Sequence, residues 1–155
     1  MGLDMYLTAR KYVSDYAFQN GEERDALDGI LGAVGLDRGA LSDGAPGVEI
    51  AVNVAYWRKA NAIHGWFVKN VQDGRDECQL SYVSRDKLKE LHRLVVDAVR
   101  TKDATILPPT SGFFFGSNDI DEWYWRDLKD TALILDSLVN GNRFDGFEFY
   151  YQASW

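Results

Sequence analysis

The chain has 155 residues, 46% of them hydrophobic, 26% charged and only 3 proline, enough for one domain that buries about two-thirds of its unfolded surface. With 24 acidic against 17 basic side chains the net charge is −7, which argues against a primary role in gripping nucleic-acid backbone. The single Cys78 excludes an intramolecular disulfide, no apolar run reaches the length of a membrane span, and the start MGLDMYL lacks the basic region of a signal peptide, so the cytoplasm is the expected location.

Leu3, Met5 and Leu7 alternate with Asp4, Tyr6 and Thr8, the period of a half-buried strand that can run on to Val13. Glu22 to Val34 carries Leu27, Ile30, Leu31 and Val34 at helical spacing, weakened by Gly29 and Gly32. Asp37 to Gly47 reads as a loop. Val48, Ile50, Val52, Val54 and Tyr56 form the cleanest alternation in the chain, and small residues opposite them suggest a central strand under a helix. That helix is expected over Trp57 to Val71 and closes at Gln72-Asp73-Gly74.

A short strand, Leu80 to Val83, leads to Ser84 as a helix cap, followed by the stripe Leu88, Leu91, Val95, Ala98 and Val99. Pro108-Pro109 stops any continuation. Asp119 with Glu122 resembles a capping box for a last helix bearing Tyr124, Trp125, Leu128, Ala132, Leu135 and Val139. Gly141 ends it, and Phe147, Phe149 and Tyr151 alternate as a final strand. The order β-α-β-α-β-α-α-β lacks the regular alternation of a dinucleotide fold. It reads as a single α+β domain, with a small, mostly antiparallel sheet covered by three or four helices.

The run YWRKANAIHGWF (Tyr56 to Phe67) is the densest in functional side chains. Wound as a helix, it places His64 and Asn61 on the face that also carries Phe67, with Arg58 to the side. Neutral His, Asn and a guanidinium could together hold a carboxylate or phosphate, and His is also a general-base candidate. The plainer reading is a buried polar network in which His64 bonds to a carboxylate or carbonyl on a neighbouring strand. Trp66 falls nearly opposite His64, beside Lys59, and is either an outward anchor for a partner or lies under the alanine-rich strand or the inserted segment.

Phe113, Phe114 and Phe115, between Gly112 and Gly116, cannot all hide on one side of a regular element. Either two rings plug the core and the third covers a helix end, or the loop is a recognition element. Neither His64, His92 nor Cys78 has metal-ligand spacing, and Asp76 and Glu77 beside Cys78 disfavour a reactive thiolate. No metal and no cofactor is expected. Carboxylates on strands (Asp4, Glu49, Glu148) could pair for acid–base work only if the fold brought them together.

Four blocks, MGLDMYL, YWRKANAIHGWF, SGFFFG and YYQASW, resemble those of a family of small proteins encoded by bacteriophages and in bacterial genomes. The resemblance implies a phage or prophage context and carries no catalytic residue. Residues 15–47 belong to none of the blocks and read as an insertion.

Three functions compete. The first is a non-enzymatic accessory protein that engages a host or phage protein through aromatic anchors (Lys59, Trp66, Phe113, Phe114, Phe115). The second is a small-molecule or nucleotide-binding domain, enzymatic or not, built on Arg58, Asn61 and His64. The third is an acidic nucleic-acid mimic. Direct nucleic-acid binding is not expected, and a homodimer through an edge strand or the Phe loop is compatible with the sequence.

Overall fold

The computed structural model describes residues 2–15, 21–43 and 46–155. The elements are β1 (Asp4–Ser14), α1 (Gly21–Ala33), a 3-10 turn (Arg38–Ala40), β2 (Gly47–Arg58), α2 (Asn61–Val71), β3 (Ser81–Val83), α3 (Arg85–Thr101), α4 (Glu122–Val139) and β4 (Glu148–Ser154). The fold is α+β, with the four strands in one open antiparallel sheet of order β2-β1-β4-β3. The chain divides into two compact units, Met1–Ala9 with Val52–Trp155, and Arg10–Ala51. Of the segment read as an insertion, and of the predicted loop at 37–47, residues 16–20 and 44–45 lie outside the described residues.

In the smaller unit Val13, Leu27 and Leu31 are buried, with Ile30, Leu41, Val48 and Ile50 packed around them. The Arg38 guanidinium donates to both oxygens of Asp28 (2.7 and 3.0 Å) and also pairs with Asp15. That hydrogen bond holds the Asp28 carboxyl below its ordinary range.

In the larger unit one core forms between the sheet and three helices. Met5, Leu7 and Ala9 of β1, Ala55 and Trp57 of β2, Val83 of β3, and Phe149, Tyr151 and Ala153 of β4 all point into it. They meet Ile63 and Phe67 of α2, Leu88, Leu91, Val95 and Ala98 of α3, and Leu128, Leu135 and Leu138 of α4. Ser84 caps α3 as expected, accepting from the Lys87 N–H at 3.2 Å. The α4 cap is Asp121 rather than Asp119: its carboxylate takes the N–H groups of Trp123 and Tyr124, both at 3.0 Å. Asp119 instead accepts from the Ser117 hydroxyl within the preceding loop.

Two expectations change. β2 is an edge strand, not a central one. Its alternation records one wet and one dry face, which suits an edge as well as a centre, and pairing partners leave no local mark. Val52 and Tyr56, on the predicted apolar face, are exposed, while Ala55 and Trp57 are the buried residues of this stretch.

The helix also starts later than predicted. Trp57 belongs to β2 and donates its indole N–H to Thr131 Oγ1 of α4 at 2.9 Å. Lys59 then adopts a left-handed conformation (φ 59°), its N–H held by the Leu3 carbonyl at 2.8 Å, and the chain turns into α2 at Asn61.

Candidate functional site

α2 is buried on nearly every side: Asn61, Ala62, Ile63, His64, Trp66 and Phe67 are all interior. Such a helix cannot be a solvent-facing platform. Trp66 is only 7% exposed and stands edge-on to Phe67, beside a cavity also lined by Leu94, Ile106 and Leu107. The outward partner anchor expected at Trp66 is therefore corrected. The helical wheel placed it opposite His64, but the 104–110 segment covers that side as well.

The approach is close enough to need glycine. A methyl group at Gly65 would fall onto the Thr110 side chain. Gly65→Ala is expected to destabilise the protein by about 2 kcal/mol, the overpacking cost outweighing the gain in helix propensity. A urea midpoint unchanged by this substitution would show that α2 and residue 110 are not in contact.

His64 is fully buried and both ring nitrogens are occupied. Nδ1 lies 2.7 Å from the Tyr151 hydroxyl and Nε2 lies 3.0 Å from Asp76 Oδ2. Burial pushes the Tyr151 phenol well above its ordinary value, so it remains a donor, and the carboxylate can only accept. The Asp76 carboxylate therefore takes a proton carried on Nε2, and Nδ1 faces the Tyr151 hydroxyl. Trp155 donates to the other Asp76 oxygen at 3.0 Å, Phe67 stacks on Tyr151 (centroids 3.9 Å, 7° between planes), and Phe115 meets the imidazole edge-on at 4.7 Å.

A cavity of about 380 Å³ lies alongside, lined by His64, Asp76, Lys69, Thr110 and Phe115. No lone pair or proton of His64 is left over for a ligand in it. The polar-network reading fits this geometry with one change: the carboxylate comes from the connection between α2 and β3, and the neighbouring strand β4 supplies the Tyr151 hydroxyl, so the network satisfies buried groups and fixes how these segments meet.

Arg58 and Asn61 do not converge with His64. They line a separate cavity of about 320 Å³ at the start of α2, together with Lys59, Asp119, Arg126 and Asp127. Asn61 has no spare donor either. Its amide donates to the carbonyls of Ser117 (2.8 Å) and Phe115 (3.4 Å), and its oxygen accepts the Thr110 N–H at 3.4 Å.

Among the described residues neither the Arg58 side chain nor the Asp127 carboxylate makes a hydrogen bond or ion pair, although Arg58 acts electrostatically on Tyr56. Arg126 lies over the Trp123 ring at 4.2 Å. Burial raises the Asp127 carboxyl from 3.8 to about 6, Asp130 and Asp121 adding to it and Arg126 opposing it. The folded state therefore holds this proton more tightly than the unfolded chain. Its contribution to stability is complete below about pH 4 and lost as pH rises through about 6. Asp127→Asn is expected to raise stability by about 1 kcal/mol at about pH 8 and to leave it nearly unchanged below about pH 4, the figure allowing for solvent screening. Urea unfolding at the two pH values checks this, and an equal shift at both would contradict it.

The three phenylalanines differ in burial, although Phe113 and Phe114 meet edge-on with centroids 4.8 Å apart. Phe115 is buried at 8% exposure against His64 and Trp155, Phe114 is half-buried with its ring parallel to Trp155 (6.3 Å), and Phe113 is 95% exposed. The loop is nonetheless well tied. The Leu3 N–H bonds the Phe114 carbonyl (3.1 Å), Phe115 N–H closes a turn on the Gly112 carbonyl (3.1 Å), and Asn118 donates to the Ser111 hydroxyl at 2.7 Å. The Phe115 ring packs over Gly112, where a Cβ would collide with it, and the Lys59 stem runs past Gly116. Lys59 and Arg58 are both exposed.

The strand carboxylates do not assemble: Asp4 is bonded by Tyr56, Glu148 by Tyr150, and Glu49 by Arg10. Among the described residues no group of three or more His, Cys, Asp or Glu is placed to hold a metal ion, and no helix is long and apolar enough to cross a membrane. Asp76, Tyr151, Asp127 and Arg126 carry roles that the sequence reading did not assign. Only the nearness of Asp76 to His64 along the chain offered a hint. Comparison with protein-family models, curated proteins and solved structures finds no match to this chain.

Proposed function

We propose that the protein is a non-enzymatic, phage-type accessory protein that binds a host or phage protein in the host cytoplasm, as a modulator or inhibitor of a host system, with the Phe113–Phe114 loop as its contact. The observation that carries this reading is the 95% exposure of Phe113 on a loop whose neighbours are fixed. Leaving a phenylalanine ring in water forgoes about 2 kcal/mol of burial, and a partner pocket restores it. Because the Leu3, Asn61 and Phe115 contacts already order the loop, little conformational entropy is lost on docking. Lys59 and Arg58 supply cations for the rim of such an interface.

A photo-crosslinking amino acid placed at position 113 in host cells should give a discrete protein adduct, and the same probe at exposed Leu133 on α4 should not. Identical patterns from the two positions, or none from 113, would remove the basis of the proposal.

The second reading, a small-ligand site, is favoured by one observation: Arg58 and Asp127 line the same cavity and, among the described residues, neither has an ion-pair partner. It no longer includes His64. Residues of both signs interleave on α3, as in Lys87–Glu90, Lys89–Asp86 and Arg100–Asp97, so that helix offers no acidic stripe to a nucleic-acid mimic.

A further inference from the structure

Each strand of the sheet contributes a tyrosine to a row on the face turned away from the core, and β1 carries a further exposed one, Tyr12. In spatial order the row is Tyr56 of β2, Tyr6 of β1, Tyr150 of β4 and Tyr82 of β3. Tyr6, Tyr56 and Tyr82 are 37%, 52% and 57% exposed, while their neighbours Met5, Leu7, Ala55, Trp57, Val83, Phe149 and Tyr151 fill the opposite face. The rings stand in two pairs. Tyr6 and Tyr56 have centroids 5.3 Å apart, and Tyr82 and Tyr150 lie directly across from one another on β3 and β4 with centroids 5.8 Å apart.

Each pair is completed by a carboxylate. The Tyr56 hydroxyl donates to Asp4 at 2.5 Å and the Tyr150 hydroxyl donates to Glu148 at 2.9 Å. The bond to Asp4 raises the Tyr56 phenol above its ordinary value, so the donor stays protonated. A phenol hydrogen-bonded to an anion carries more electron density on its ring, and both the ring face and the carboxylate then attract a cation.

We infer that this tyrosine-bearing sheet face is a docking surface for a lysine- or arginine-bearing segment of a partner protein, crossing the strands so that one basic side chain meets each Tyr–Tyr–carboxylate cluster. Strand spacing of about 4.8 Å puts the outer strands about 14 Å apart, the reach of a short extended peptide. Charge complementarity selects this occupant: Asp4 and Glu148 repel phosphate, so stacked nucleic acid is disfavoured. Arg58, which acts electrostatically on Tyr56, lines the cavity at the start of α2. This surface is separate from the Phe113 loop and the inference does not rest on it.

The test is fluorescence anisotropy with a labelled hexalysine peptide at low and high salt. Wild type should bind, more weakly as salt rises, and Tyr6→Leu/Tyr82→Leu should bind about tenfold more weakly. That double variant keeps the net charge and apolar bulk, so it removes the ring faces alone. Phe113→Ser should match wild type. Equal binding by the double variant would reduce the interaction to bulk charge and overturn the inference. So would an absence of binding by wild type at low salt, or binding of cellohexaose in place of the peptide, which would mark a glycan platform.

Discussion

Replacing His64 by alanine is expected to lower the unfolding free energy by about 3–5 kcal/mol, the largest single effect in the molecule. Two costs add. The imidazole is fully buried against Phe115, so its removal leaves a cavity. The Tyr151 hydroxyl and one oxygen of Asp76 also lose their partners. Asp76 keeps the Trp155 indole N–H, which limits its part of the loss, whereas Tyr151 keeps nothing from the ring. His64→Phe should cost less, about 2 kcal/mol, because it refills the volume but leaves the same two groups unpaired. Chemical unfolding of the two variants separates the packing cost from the hydrogen-bond cost. A His64→Ala variant within about 1 kcal/mol of wild type would mean that the network is not closed.

The second large effect is at Asn61, where Asn61→Ala should cost about 2–3 kcal/mol and also free the aromatic loop. One side chain there serves three backbone groups, the carbonyls of Phe115 and Ser117 and the Thr110 N–H. It is therefore the joint between α2 and both ends of the segment that displays Phe113. Amide hydrogen exchange across 110–118 should accelerate in Asn61→Ala well beyond what global destabilisation explains. Exchange that tracks only the global loss would show that the loop is held by Phe115 and Leu3 without Asn61.

These two residues show what the sequence could and could not convey. Asn61 and His64 are legible as polar groups on an apolar helix face, which demanded partners. The partners were not legible, because Tyr151 lies 87 residues from His64 and the carbonyls of Phe115 and Ser117 lie more than 50 from Asn61. Periodicity located every strand and helix, since burial on one face acts locally and repeatedly along an element. It misplaced the start of α2 because Trp57 fits the helix stripe and the strand equally well, and the Lys59 turn that decides between them depends on Leu3. Trp66 was misjudged as a candidate anchor because a helical wheel has no knowledge of a second covering layer. A site at Arg58 and the start of the helix was legible, but its other wall with Asp127 was not, because the 116–127 stretch meets α2 only in the folded chain.

The division of labour between α2 and the Phe loop is the central claim, interior scaffold against contact surface. It is tested most directly by measuring thermal midpoint and partner affinity together for His64→Phe and Phe113→Ser, with the protein captured through position 113 as the partner. Phe113→Ser should leave the midpoint unchanged and weaken binding by at least about tenfold. His64→Phe should lower the midpoint and, well below it, bind as wild type does. The reverse pattern, affinity lost at His64 in a stably folded protein and retained at Phe113, would contradict it.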